Sequence, residues 1–353
     1  MNAWLQDIFT ITELNPTWQQ QAIDATLTDK LRTKAFAITP ENVEEVIENR
    51  FHLFKSIYPA FSQFCQTNLQ IRPAKMLGIL WDYWLPLGIK IASQRQQLGH
   101  PFIQGILGGQ GTGKTTMCGV MKIILSQLGY TCLSLSLDDL YKTYSDRLIL
   151  QQQDPRLIWR GPPGTHDVDL GLHVLQQIHQ GNSPIVVPRF DKSLHQGAGD
   201  RTTSKIVHNI DIVLFEGWFV GVEPINQVVF DHPPPPIMTT EDKKFARDMN
   251  LKLHDYLPLW NQLDSLIMLH PQDYRLSLTW RKQAEHQMIA TGKPGMSDTQ
   301  IENFVNFFWR TLHPELFIPP LLETPTIVDL VIEINCDHLW NKIYQPGLCA
   351  SNK

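Results

Sequence analysis

The chain has 353 residues, 42% hydrophobic and 18% charged, with 30 basic against 35 acidic side chains and a formal net charge of -5. That is ample apolar material for one large or two modest domains. The lack of a basic excess gives no support to a sequence-independent nucleic-acid binder, which needs an electrostatic footprint.

The opening segment MNAWLQDIFTITELNPTW has no basic region leading into an apolar stretch and is not the Arg- and Ser-rich type of a transit peptide. No apolar run is long enough to span a bilayer. The cysteines are Cys65, Cys118, Cys132, Cys336 and Cys349, far apart and without CxxC spacing. They read as free thiols in a reducing compartment, and the chain as a cytoplasmic globular protein with no membrane partner.

Residues 1–100 carry apolar positions at helical spacing and no strand-like alternation, so they read as a helical N-terminal extension. Thr39-Pro40-Glu41 resembles a helix start, with Thr39 as cap and Pro40 in the first turn. From residue 101 the pattern changes. FIQGIL leads into GGQGTGKT (108–115), and TTMCGVMKIILSQLG follows with helical periodicity. TCLSLSL alternates at period two and ends in Asp138-Asp139, while DIVLFEG (211–217), LDSLIML (263–269) and TIVDLVIEI (326–334) are apolar strands. Apolar strands alternating with helices predict an α/β fold, a parallel sheet covered on both faces, over residues 101–353. HPPPP (232–236) predicts an extended surface loop.

The glycine loop follows a strand and opens a helix, the arrangement of a phosphate-binding P-loop. Glycines let backbone N–H groups curl around phosphate oxygens, and the helix N-terminus adds its positive end. In that reading Lys114 reaches the β- and γ-phosphates and the Thr115 hydroxyl serves Mg2+. Ligands collect beyond the carboxyl ends of such strands, where Asp138, Asp139 and Glu216 stand. A carboxylate there can take the proton of an attacking hydroxyl, although Asp139 reads equally as a helix cap. Arg275 and Arg281 fall on one helical segment about 120° apart and cannot form a single clamp. By spacing alone, Arg281 pairs with Glu285 at i,i+4. Between Asp139 and Glu216, RGPPGTHD (160–167) and VPRFDKSLHQGAGDR (187–201) read as polar loops suited to an acceptor site. Their His166, Arg189, Lys192 and Arg201 could hold an anionic acceptor. The histidines lack metal spacing, with no HExxH.

Two other readings stay open on residues alone, a kinase for a nucleoside or pantothenate and an ATPase or GTPase switch. A nucleoside pocket needs aromatic stacking, whereas residues 189–205 are rich in Arg and Lys. A GTPase is expected to carry NKxD, and the chain has NKIY (341–344) instead.

The ordered run GGQGTGKTT, LSLSLDDLYKT, RGPPGTHD, PRFDKSLHQGAGDR, VLFEGW, WRKQAE and GKPGMSD resembles the plant- and cyanobacterial-type D-glycerate 3-kinases from about residue 102 to 321. Those P-loop kinases are similar in fold to uridine kinase, pantothenate kinase and phosphoribulokinase. The resemblance implies ATP- and Mg2+-dependent phosphorylation of D-glycerate at its 3-hydroxyl. It implies that Gly108, Gly109, Gln110, Gly111, Thr112, Gly113, Lys114, Thr115 and Thr116 hold ATP, and that Thr115 and Glu216 serve the metal. Asp138 matches the aspartate that serves as base in the related uridine kinases, Lys114 the P-loop lysine, and Arg281 a lid arginine that approaches the transferred phosphate. His166, Arg189, Asp191 and Lys192 fall in the acceptor region (about 160–201), and the lid spans about 271–296. The first hundred residues match only loosely, and nothing is carried over to them.

Overall fold

The computed structural model describes residues 3–347 apart from Thr10, Lys293–Pro294 and Pro325–Thr326. Cys349, the Lys293-Pro294 pair of GKPGMSD and Thr326 of the last apolar run therefore lie outside the described residues. Eight strands are present among the described residues. They are β1 (Phe102–Gly108), β2 (Cys132–Ser136), β3 (Ile185–Asp191), β4 (Asp200–Val207), β5 (Ile212–Gly217), β6 (Ser265–Pro271), β7 (Leu330–Ile334) and β8 (Trp340–Tyr344). Six form one sheet in the order β2-β5-β1-β6-β7-β8. The first five run parallel and β8 closes the edge antiparallel to β7.

Side chains of a strand alternate between faces, and here both faces are buried. Ile103, Leu107, Val213, Phe215 and Met268 enter one apolar cluster, whereas Phe102, Ile106, Ile212, Leu214 and Ile267 enter the other. The central strands therefore read as continuous apolar runs. The edge strand β2 buries Leu133 and Leu135 and half-exposes Ser134 and Ser136, which is why it alternates.

The N-terminal helices share one apolar cluster with the P-loop helix (Lys114–Gln127) and one face of the sheet. Along the helix Val43–Phe64, Ile47, Phe51, Phe54 and Phe61 recur at the spacing that puts them on one buried stripe. Its end packs directly on the P-loop helix. A Cβ on Gly119 would lie 2.4 Å from the Phe64 ring, so the close approach requires glycine. The helix starts later than the TPE motif predicts. Residues 39–42 form a turn in which Asn42 Oδ1 accepts from the Thr39 N–H at 2.8 Å, and Val43 opens the helix.

Two other segments depart from the sequence reading. The stretch 185–207 is not loop but an antiparallel hairpin of β3 and β4, separate from the main sheet. The helix Val168–His179 connects it to the β2 end, within the stretch read as acceptor loops. The HPPPP segment is a loop held down at its end, where Pro235 C=O accepts from His313 Nε2 at 2.9 Å and Ile237 is buried.

Candidate active site

The P-loop leaves β1 at Gly108 and turns into its helix through two glycines in the left-handed region, Gly111 (φ 79°) and Gly113 (φ 84°). Thr112 Oγ1 donates to Gly109 C=O at 2.9 Å and braces the turn. Lys114 Nζ folds back over it, donating to Gly108 C=O at 2.6 Å and Gly109 C=O at 2.9 Å. Thr115 and Thr116 stand in the first helical turn, Thr115 exposed and Thr116 half-buried. The buried Gln110 Oε1 has no partner among the described residues. The loop is gripped from outside by Trp280. Its Cβ lies 2.8 Å from where a Gly111 side chain would start, and His338 stacks on its ring at 4.4 Å.

The sheet register brings the acidic strand ends to this loop. Glu216 lies opposite Ile106 of β1 on one side and Ser136 of β2 on the other. Burial raises its pKa, the Lys114 ammonium works against that, the Asp138 charge adds to it, and Ser136 supplies a hydrogen bond. Lys114 is lowered by burial and held up by Glu216 and Asp138. Lys114, Glu216 and Asp138 thus form one electrostatic group.

Asp138 sits in the short helical turn after β2. Burial would push its carboxyl up, but the Lys192 ammonium at 2.5 Å and a hydrogen bond from Tyr141 leave it below the usual carboxylate range. The buried Tyr141 hydroxyl is itself raised well above its ordinary value, first by burial and then by Asp138, and so keeps its proton. Asp138 is therefore an ionised acceptor with two donors in place. Asp139 faces elsewhere. It accepts from the Ser136 N–H at 3.1 Å in a capping box and from Arg189 at 2.8 Å. The cap reading holds for Asp139.

The hairpin distributes the remaining candidates. Lys192 reaches Asp138, Arg189 is tied to Asp139 and to Ser134 C=O, and the half-buried Asp191 closes a local turn on Ser193. Arg201 reaches Asp167 at 2.7 Å. His166 is buried, stacked on Tyr141 at 4.6 Å, with Nδ1 2.8 Å from the Tyr256 hydroxyl. That hydroxyl accepts from the Gly164 N–H at 2.9 Å and from the His166 backbone N–H, which leaves its own proton for Nδ1 and puts the ring proton on Nε2. Nε2 is buried without a partner among the described residues. Arg281 lies on the helix Leu276–Ala290, paired with buried Glu285 at 3.0 Å and set over the Phe304 ring. In this conformation it makes the i,i+4 pair that its spacing predicts.

Sequence reasoning quoted DDLYKT and RGPPGTHD without singling out Tyr141 or Arg160, both of which the structure brings to this region. It missed the Trp280–His338 contact on Gly111 altogether, since 58 residues separate those two side chains.

A strand, a glycine loop over a helix N-terminus and acidic neighbouring strand ends define a nucleotide-binding P-loop kinase fold. Known proteins agree. The chain is 33% identical over 227 residues to the uncharacterized kinase mug58 of Schizosaccharomyces pombe, covering 62% of this chain and 82% of that one. It is 28% identical over 330 residues to the chloroplastic D-glycerate 3-kinase of Arabidopsis thaliana, covering 87% and 69%. The solved D-glycerate 3-kinase of Cryptococcus neoformans var. grubii superposes with a TM-score of 0.68 at 27% identity, over 74% of this chain and 98% of that chain. No protein-family model matches the chain. The chain belongs to the family of P-loop kinases that these proteins represent, ATP-using phosphotransferases that act on small molecules.

Proposed function

We propose that the chain transfers the γ-phosphoryl group of ATP to the 3-hydroxyl of D-glycerate, giving 3-phosphoglycerate and ADP. The observation that carries the reading is Asp138, an ionised, hydrogen-bonded carboxylate beside the P-loop lysine, in a chain whose relatives include D-glycerate 3-kinases. In this reading Gly108 to Thr116 hold the phosphates by backbone N–H groups and the helix end. Lys114 swings from the Gly108 and Gly109 carbonyls to the phosphates. Thr115 and Glu216 offer hard oxygen donors beside the loop, a set that fits Mg2+. When bound, that ion neutralises charge on the phosphates.

Asp138 takes the proton of the 3-hydroxyl as its oxygen bonds to the γ-phosphorus and the bond to the bridging β–γ oxygen breaks, leaving ADP. Lys192 and Tyr141 orient Asp138 and keep it ionised until then. His166 turns its unpartnered Nε2–H toward the acceptor side. Arg189 positions the β2 end through Asp139, and Asp191 fixes the turn that carries Lys192. Arg281 leaves Glu285 for the transferred phosphate when the lid (about 271–296) closes over the acceptor segment (about 160–201). The helical residues 1–100 buttress the kinase unit, residues 101–353. The free thiols of Cys65, Cys118, Cys132 and Cys336 fit a cytoplasmic setting, and no described helix is long and apolar enough to cross a membrane.

The test is ADP release with ATP·Mg2+ and D-glycerate, L-glycerate, uridine, pantothenate or no acceptor. Turnover that requires D-glycerate and disappears in Asp138→Asn is the expected result. ADP release indifferent to D-glycerate overturns the reading.

A further inference from the structure

Lys192, Arg189 and Arg201, cations that the sequence offers for an acidic acceptor, are already matched by Asp138, Asp139 and Asp167. Two other arginines are not matched. Arg147 donates to the carbonyls of Lys142 (2.7 Å), Ala198 (2.7 Å) and Gly199 (2.6 Å). Arg160 donates to those of Gly197 (2.7 Å) and Ala198 (3.0 Å). They share the Ala198 carbonyl, and both guanidinium groups lie over the Phe190 ring, at 5.1 and 5.6 Å. Among the described residues neither has a carboxylate within ion-pair distance. Like charges so placed repel: burial lowers the proton affinity of half-buried Arg147, Arg160 lowers it further, and the Asp200 charge, beyond ion-pair distance, offsets part of this. A bare pair of this kind, held by backbone carbonyls, is a site waiting for a counter-charge.

Its position says which one. The pair lines a cleft of about 720 Å³ between the hairpin tip, the segment 144–160 and the lid residues Glu285, Gly295 and Met296. Arg160 also lies 5.9 Å from the centre of the Tyr141 ring, and the hydroxyl of that ring bonds Asp138. The Tyr141 ring thus links the pair to the carboxylate placed as base, which does not itself line the cleft. A second cavity, about 480 Å³ along Gly108–Gln110, is mainly apolar, and its Arg275 is paired with Asp273 and Glu315. It offers no free cation.

We propose that Arg147 and Arg160 form a carboxylate-binding fork that reads the acid end of the acceptor, with the acceptor hydroxyl directed toward Asp138. Planar guanidinium groups match a carboxylate with paired N–H donors, which a lysine cannot do. The inference rests on the kinase reading above and adds its specificity device.

The test compares kcat/KM for D-glycerate, its methyl ester and glycerol, in wild type and in Arg160→Lys, Arg160→Met and Arg147→Lys. Wild type should prefer the acid to the ester by about a hundredfold or more, because a site built for charged hydrogen bonds rejects an analogue that cannot make them. Arg160→Met should raise the KM for D-glycerate about ten- to a hundredfold, leave the KM for ATP in place and bring the acid-to-ester ratio toward one. The lysine variants should fall between. The ratio is read on one enzyme sample, so loss of folded protein at the hairpin tip does not move it. Equal turnover of acid and ester by wild type, or an unchanged ratio in all variants, overturns the fork. If wild type ignores D-glycerate yet phosphorylates another hydroxy acid and not its ester, the fork stands and the glycerate assignment falls. Phosphorylation of neutral acceptors alone removes the fork and leaves a kinase.

Discussion

Replacing His166 by Gln should make the fold less sensitive to mild acid. The ring is 2% exposed, stacked on Tyr141 and bonded to the Tyr256 hydroxyl. Burial, opposed weakly by Asp138, takes its pKa from 6.5 down to about 3. The folded state refuses a proton that the unfolded chain accepts near 6.5. The stability contribution is therefore complete above that pH and is lost progressively as pH falls toward 3. Between pH 7 and pH 5 the loss comes to about 2 kcal/mol, at roughly 1.4 kcal/mol per pH unit. Urea unfolding of wild type and His166→Gln at both pH values measures it, and subtracting the two cancels the groups they share. The variant also loses the Tyr256 bond, about 1 kcal/mol at either pH. The advantage of wild type over variant should shrink by about 2 kcal/mol on going to pH 5. A wild-type advantage that stays constant from pH 7 to pH 5 would refute a buried neutral histidine.

Asp138→Asn should lower kcat by about 10²–10⁴ with the KM for ATP held, in steady-state ADP release; a matched loss in ATP affinity speaks against a base. Lys192→Met removes the ammonium that holds Asp138 down, so its pKa rises and the acid limb of the pH–rate profile should move to higher pH. An unmoved limb contradicts that pairing. Gly119→Val drives a side chain into the Phe64 ring and should cost about 1–3 kcal/mol in urea unfolding. A midpoint equal to wild type shows that the helix Val43–Phe64 does not press on the P-loop helix.

The parallel core was legible because burial on both faces leaves no polar alternation, so strands such as IVLF stand out at once. The P-loop was legible because its backbone needs glycine at fixed positions. The hairpin was not. Much of β4 is polar and exposed over 202–206, and its strand character comes from pairing with β3 rather than from its own pattern. β8 is five residues long and antiparallel, added at the sheet edge without a periodic signal of its own. Asp138 and Glu216 were readable from strand ends, whereas the Lys192 contact that sets the state of Asp138 depends on the hairpin fold. Arg147, besides its bond to the nearby Lys142 carbonyl, meets Arg160 at hairpin-tip carbonyls 37 to 52 residues away, a convergence that nothing local announces. The Arg281–Glu285 pair, by contrast, was a matter of spacing on one helix, and there the plain reading matches the structure.

The central claim is transfer to the terminal hydroxyl of a three-carbon acid. Phosphorus NMR of the product formed from ATP and D-glycerate tests it most directly. The account predicts a phosphorus signal coupled to the C3 methylene protons, and hence 3-phosphoglycerate. A signal coupled to the single C2 proton, or inorganic phosphate alone, would contradict it.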